Sequence, residues 1–459
     1  MGSLSQYTDI YRDHREAIDS HSSAVINAMR PAAYDALKGK ELPGKNTEGY
    51  EKTSIDEMMS PDFGININRV NIPVDVAASF HCGVPNMSTL LGIVVNDSFH
   101  PVGSLLTRLP EGVIFGSLAQ AAAEHPELVG LYYGKVASLE SVTTALNTLL
   151  VQDGVFVYVP KGVALEKPLQ LVNIFSSPTS LMAARRLLIV MEEGASAQLL
   201  VCDHTQDSSQ KYLSSQVIEI VLNRDSRLDY YDLEESGEGT SRCSSVYARQ
   251  ESGSSLTVNG MTLSCGNTRN DYNIEITGDG CDTLLAGMAI ASGHQHIDNN
   301  SSVNHLGSHC HSRQLFKYVL DDDASGAFEG GIVVNEGAVK TEAYQSDRNL
   351  LASIGAKMHT KPQLLIYCDD VKCSHGATTG QLDQEALFYM RSRGISEKTA
   401  RTMLMQAFMS EVIETVRMEG LRERLHMLVE KRFHGQQSFC GDCATGCVSA
   451  KKAVNDGEL

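Results

Sequence analysis

Three clusters of cysteine and histidine could do chemistry in this chain, and since both residues are common soft-to-borderline metal ligands, each cluster is first a metal question. In IYCDDVKCSHGATTGQLD, residues 366–383, Cys373 and His375 stand one residue apart and Gly376 follows. On an extended strand the two side chains share a face and Ser374 points away. If Gly376 turns the chain, only one of the pair reaches a given ion. Spacing alone leaves a ligand pair and a structural turn as equal alternatives. A cysteine-protease arrangement fits less well, because its cysteine and histidine come from distant segments.

The densest cluster is HQHIDNNSSVNHLGSHCHS, residues 294–312. Read as strand, it puts His294, His296 and Asp298 on one face, and His309 with His311 on one face; a His/His/Asp set binds zinc or iron. The ordinary alternative is a polar strand face whose histidines are solvated or hydrogen-bonded, and no Glu stands beside a paired-His helix motif. In the tail SFCGDCATGCVSAKK, Cys440, Cys443 and Cys447 have a C-x2-C-x3-C spacing. Three thiolates so spaced converge on one metal or cluster, with a fourth ligand from elsewhere; the alternative is a redox-sensitive tail without a metal.

Other chemistries are excluded by what is missing. GKNTEGYEKTS, residues 44–54, lacks the Gly-x4-Gly-Lys-Ser/Thr spacing that cradles phosphates, and no Gly-x-Ser-x-Gly elbow occurs. The 459 residues carry 38 basic against 56 acidic side chains, a net charge of -18, which repels nucleic acid and anionic membranes. No apolar run approaches the ~20 residues of a membrane span. The first residues lack the apolar core of a signal peptide. An odd count of 11 cysteines without an export signal predicts a reducing, cytoplasmic setting in which thiols are free, buried or ligands.

The elements that must position these residues fall into four stretches. Residues 1–153 read as a mixed, largely helical region, with SSAVINAMRPAAYDALKGK, FGSLAQAAAEHPELVGLYY and SVTTALNTLL at helical spacing and LLGIVVND as a strand. Residues 154–380 change texture to β-branched runs separated by turns near Gly194, Asp225, Gly253, Gly280 and Ser308, a period near 28 residues with two strands per repeat. Later turns at Ala324 and Gly337 fall at half that spacing. A unit of this size cannot bury its apolar face alone, so stacking into a β-solenoid is favoured over a β-sandwich, which requires no steady period.

Residues 381–435 read as helices: Asp383 caps the first, Gly394 stops it, Ser396 caps a longer one expected to run to Gly420, and a third follows. In the long helix Leu404, Phe408, Val412 and Val416 form one stripe, and Met405, Met409 and Ile413 a second. One stripe docks the helix on its own body. The second is either wedged by further neighbours or a partner surface, for which methionine is suited. Residues 436–459 form the cysteine-containing tail.

The block KPQLLIYCDDVKCSHGATTGQLDQEALFYMRSRGI, residues 361–395, resembles the signature of SufD in the SufB/SufD family of the SUF iron–sulfur assembly machinery. QHIDNNSSVNH, SRQLFKYVLDD, SGAFEGGIVV, KTEAYQSDRNLL and HTKPQL follow the same family in order and spacing. The resemblance is strongest from Val155 to Arg432. It implies a mainly β fold, a right-handed parallel β-helix between helical regions. It implies a non-ATPase scaffold subunit that acts with SufB-like and SufC-like subunits, with clusters built at the SufB/SufD interface. It implies no permanently bound cofactor but a transient iron or iron–sulfur cluster ligated by His375, with Cys373 accessory, and it leaves room for a flavin in the complex and for a homodimer of the chain alone. It assigns the C-terminal helices to SufC docking, which would explain an apolar Met405, Met409 and Ile413. His296, Asp298, His305, Ser312 and Gln314 match the family as part of the solenoid. Two rivals remain: a stand-alone metalloenzyme on His294, His296 and Asp298, and a purely structural subunit.

Overall fold

A computed structural model describes residues 2–72, 89–101, 109–206 and 208–434. The three-cysteine site at Cys440, Cys443 and Cys447 lies outside the described residues.

Strand outweighs helix, 42% against 24%, and the strands wind into a parallel β-solenoid of about 8 turns flanked by helical regions. Successive strands alternate between two facing sheets, so each strand bonds to the strands two places before and after it. In one sheet Ser196 lies beside Arg227, and Ser255, Asp282, His311, Glu342 and Lys372 follow in register. The period read from the turns is this coil length.

One left-handed residue per coil makes the corner: Gly194 (φ 68°), Asp225 (56°), Gly253 (73°), Gly280 (70°), His309 (58°) and Lys340 (61°). Each donates its amide to the next coil, to the carbonyls of Arg224, Ser252, Asp279, Ser308, Val339 and Asp370 in that order. The fifth corner therefore sits at His309, one residue beyond the predicted Ser308. Gly253 is constrained twice, by its positive φ and because a Cβ there would lie 2.1 Å from Asp225 Oδ1.

Three cores follow from strand alternation. Inward residues such as Leu199, Ile220, Val258, Ile274 and Phe316 fill the lumen. The outer face of one sheet, with Met182, Leu188 and Leu213, packs against the N-terminal helices through Leu118, Leu146 and Tyr133. The outer face of the other, with Tyr231, Met261, Met288 and Leu315, packs against the C-terminal helices. The region 1–153 also contributes strands: Leu90–Val95 pairs in parallel with the strand Leu169–Phe175, and the antiparallel strands Ser98–Pro101 and Ile114–Ser117 close the first coil.

The C-terminal helices are Gln384–Ser392, capped by Asp383, Glu397–Ile413, capped by Ser396, and Glu419–Phe433. The long helix ends well before Gly420, which instead opens the third helix. The break is tertiary: Arg417 Nη1 reaches buried Asp229 at 2.6 Å and its amide donates to Tyr231 Oη at 2.9 Å. A second correction concerns the apolar stripes. Met405, Met409 and Ile413 are buried against the solenoid's outer face, as are Val412 and Val416, while Leu404 and Phe408 are only partly buried. Lys317 Nζ bonds Glu411 at 2.8 Å and the Phe408 carbonyl at 2.7 Å, turning the methionine stripe inward. That stripe is therefore no partner surface. The large apolar residues left exposed here are Phe388, Tyr389, Met403 and Met427.

Candidate functional site: the open end of the solenoid

The solenoid's two ends differ. The first coil is capped by the antiparallel strands, whereas the last two strands, Lys357–Ile366 and Lys372–Gln381, are parallel solenoid strands on which no further strand is stacked among the described residues. Not one residue from 357 to 381 is fully buried. Unpaired edge N–H and C=O groups are a template for another chain, and here they come with exposed Leu365, Ile366 and Tyr367.

The strand runs straight through Gly376, so Cys373 and His375 share a face. Register puts them opposite Ala343 and Gln345, both buried inward residues, so the pair lies on the inner wall at the mouth of the lumen. The two differ in setting. Cys373 is half-buried and packs with Leu364, Cys368 and Val371 against Ile332 and Ala343; burial pushes its thiol pKa up, which keeps it protonated and weakens it as a ligand. His375 is exposed, and no described residue hydrogen-bonds it. An imidazole at an unfinished edge is free to take a metal whose other ligands come from elsewhere.

The histidine-rich segment is a different thing. The strand begins at His296, so His294 is an exposed turn residue that does not join the face of His296 and Asp298. Those two are already engaged: Thr53 Oγ1 lies 2.8 Å from His296 Nε2 and 2.5 Å from Asp298 Oδ2, Ser325 Oγ lies 2.7 Å from His296 Nδ1, and Arg269 Nη1 bonds Asp298 at 2.7 Å. Arg269 also stacks on Tyr50 and bonds the Gly49 carbonyl. The cluster fastens residues 49–53 across the solenoid, and its imidazole has no nitrogen to spare for a metal. His309 is a corner residue, and exposed His311 bonds Asp282 at 3.1 Å. His305 lies in the lumen against Ser312 Oγ at 2.8 Å, its pKa lowered by burial to about 4. Among the described residues, no group of three or more His, Cys, Asp or Glu is placed to hold a metal ion.

Sequence reasoning missed the charges inside the lumen. Arg242 reaches Asp203 at 3.2 Å, bonds Asp232, and lies 3.8 Å from Glu234, with Arg185 on Asp203 at 3.1 Å. Burial pushes the Glu234 carboxyl up to about 7 against the pull of Arg242. The signal was present as polar residues at inward positions of strands such as RLDYYDLEE, but which face is inward depends on register with distant coils.

Residues 174–408 match the family described as SUF system FeS cluster assembly, SufBD core domain, and residues 1–171 match the SufBD protein N-terminal region. The chain belongs to the SufBD family. It is 29% identical to an iron–sulfur cluster assembly SufBD family protein of Synechocystis over 90% of this chain and 92% of that one. It is 30% identical to the chloroplastic protein ABCI7 of Arabidopsis thaliana over 88% of this chain and 85% of the relative. The iron–sulfur cluster assembly protein SufD of Bacillus subtilis is 28% identical over 70% of this chain and 74% of its own. Membership of the SufBD family supports a role in iron–sulfur cluster assembly in the SUF system. No helix among the described residues is long and apolar enough to cross a membrane.

Proposed function

We propose that this chain is a non-ATPase scaffold subunit for iron–sulfur cluster assembly, working with a SufB-like and a SufC-like subunit. The cluster is built where the open end of this solenoid meets the SufB-like partner, with His375 as this chain's iron ligand and Cys373 accessory. One observation carries the reading: the exposed histidine of the Cys-Ser-His segment makes no hydrogen bond to a described residue and stands on the solenoid end that no antiparallel strand caps. A single nitrogen ligand holds iron less tightly than a full thiolate set, which suits a site that must release its product. Nucleotide chemistry belongs to the SufC-like partner, whose docking falls to Phe388, Tyr389 and Met403 now that the methionine stripe is buried.

End-on pairing has a direct test. Ile366→Lys puts a charge into the centre of the proposed contact, where a hot-spot change costs about 2 kcal/mol or more. The dissociation constant for the SufB-like partner, read by calorimetry, is expected to rise roughly 30-fold, with the melting temperature of the lone chain unchanged. Unaltered affinity would move the interface away from the solenoid end.

A further inference from the structure

One coil below the mouth the lumen holds a set of oxygens that the chain leaves unsatisfied. On the strand Glu342–Leu351 the inward residues are Gln345, Asp347 and Asn349, none more than 4% exposed. Gln345 Oε1, Asp347 Oδ1 and Asn349 Oδ1 all lack a hydrogen-bond partner. The strand alternation brings all three to one face. Asn349 Nδ2 ties the group together by donating to Asp347 Oδ2 at 2.8 Å, and the Thr360 hydroxyl bonds the Asp347 carboxylate from the opposite sheet. The other ends of these side chains are well bonded: Gln345 Nε2 donates to Gln314 Oε1 at 3.1 Å. The oxygens left over, Gln345 Oε1, Asp347 Oδ1 and Asn349 Oδ1, are all acceptors.

The surroundings close the set on one side. In register, Phe316 lies beneath Asp347, and its ring packs on Phe328 at 4.7 Å between centroids. Above Asp347 stands Ala377 of the last strand, above Asn349 stands Thr379, and above Gln345 stands His375. Only the small Ala377 and Thr379 thus separate Asp347 and Asn349 from the open end, and no cationic group is among those that act on Asp347. Arg348, next in sequence, points outward to Glu411.

A buried carboxylate without a counter-charge is costly. A water molecule has two protons to give and cannot serve three acceptors and a negative charge together. A small cation can. Carboxylate, amide carbonyl and hydroxyl oxygens are the donor set of hard divalent ions, with waters completing the shell.

We infer that Asp347, flanked by Gln345, Asn349 and Thr360, centres a binding site for one hard divalent cation between the last two coils, reached through the open end. That its occupant is ferrous iron waiting beneath His375 rests on the function proposed above; the site itself does not. The geometry separates the two roles: oxygen ligands below hold the bare ion, and the nitrogen and sulfur ligands at the rim hold it once sulfide arrives.

The test uses the full-length chain alone, under anaerobic conditions, titrated with Mn2+ and followed by the loss of the free-ion electron paramagnetic resonance signal. A single saturable equivalent is expected, displaced by Fe2+. Asp347→Asn keeps shape and removes the charge, so it should weaken Mn2+ by about tenfold or more while raising the melting temperature of the metal-free protein. His375→Ala should leave Mn2+ binding in place. The inference is overturned by the absence of saturable binding, which would leave the lumen holding ordered water only. It is equally overturned by binding that survives Asp347→Asn and disappears in His375→Ala, which would put the ion on the rim. Cluster content of the complex is a separate readout, so failure of the functional reading and failure of this site are told apart.

Discussion

When the three subunits are produced together, His375→Ala is expected to lower the acid-labile sulfide of the isolated complex by on the order of tenfold or more, with subunit stoichiometry unchanged. The side chain is exposed and makes no hydrogen bond to any described residue, so its removal leaves the strand Lys372–Gln381 and its pairing intact. What is lost is a ligand. The matched control is His296→Ala, which breaks contacts to Thr53 and Ser325 and should cost stability without specifically emptying the complex of cluster. Cys373→Ala should have the smaller effect, since a half-buried thiol with a raised pKa contributes thiolate only after deprotonation. Undiminished cluster in His375→Ala would favour the purely structural reading of this subunit.

The second large effect is on stability. Arg242 is the sole cation between Asp203, Asp232 and Glu234 to which all three are paired, and all four side chains are buried. Arg242→Met removes the charge at similar volume and leaves the carboxylates facing one another. Breaking a buried pair from one side costs about 3–5 kcal/mol, a large part of the ~5–15 kcal/mol that holds a folded protein together. The variant is expected to lose that much in urea unfolding or to be recovered insoluble. Arg348→Met, at the exposed Glu411 contact, should change stability by no more than about 0.5 kcal/mol.

The pH dependence carries the same signature. Glu234 titrates near 7 in the folded chain, above its ordinary value of 4.5. The folded state thus holds the proton more tightly, so this group's contribution is fully present below pH 4.5 and is lost as pH rises through 7. Without Arg242 the loss extends to higher pH. A loss under 1 kcal/mol, or a pH profile identical to wild type, would mean that the lumen charges are not coupled as their distances indicate.

Much of the fold could be read directly. The turns that Gly194, Asp225, Gly253 and Gly280 predict are the left-handed corner residues themselves, because a backbone requirement leaves a local mark in residue type. Asp383 and Ser396 mark helix starts for the same reason. The errors are all tertiary. Gly420 looked like a stop, but the helix is ended by Arg417 reaching Asp229, 188 residues away in sequence. The two apolar stripes of the long helix were both visible, yet which one is covered depends on the solenoid face beneath.

The candidate site divides along the same line. Cys373 and His375 were evident as a motif, but their value comes from standing on the last coil, which no local pattern states. His294, His296 and Asp298 belong to the denser cluster, and the structure shows why they are not a metal site: His294 lies in a turn, and Thr53 and Arg269 arrive from elsewhere in the chain to occupy His296 and Asp298. Gln345, Asp347 and Asn349 sit inside the motif KTEAYQSDRNLL and alternate as inward residues must. Only the absence of partners for their oxygens turns them from strand residues into a candidate site.

The central claim is that this chain supplies half of a site, and acid-labile sulfide per chain tests it most directly. The measurement compares anaerobically purified protein alone with the same protein isolated in complex with its SufB-like and SufC-like partners. Iron by itself does not decide, since an oxygen-lined lumen binds the bare ion. The account predicts sulfide near zero in the lone chain and a cluster's complement in the complex. A full complement of sulfide in the lone chain would contradict it.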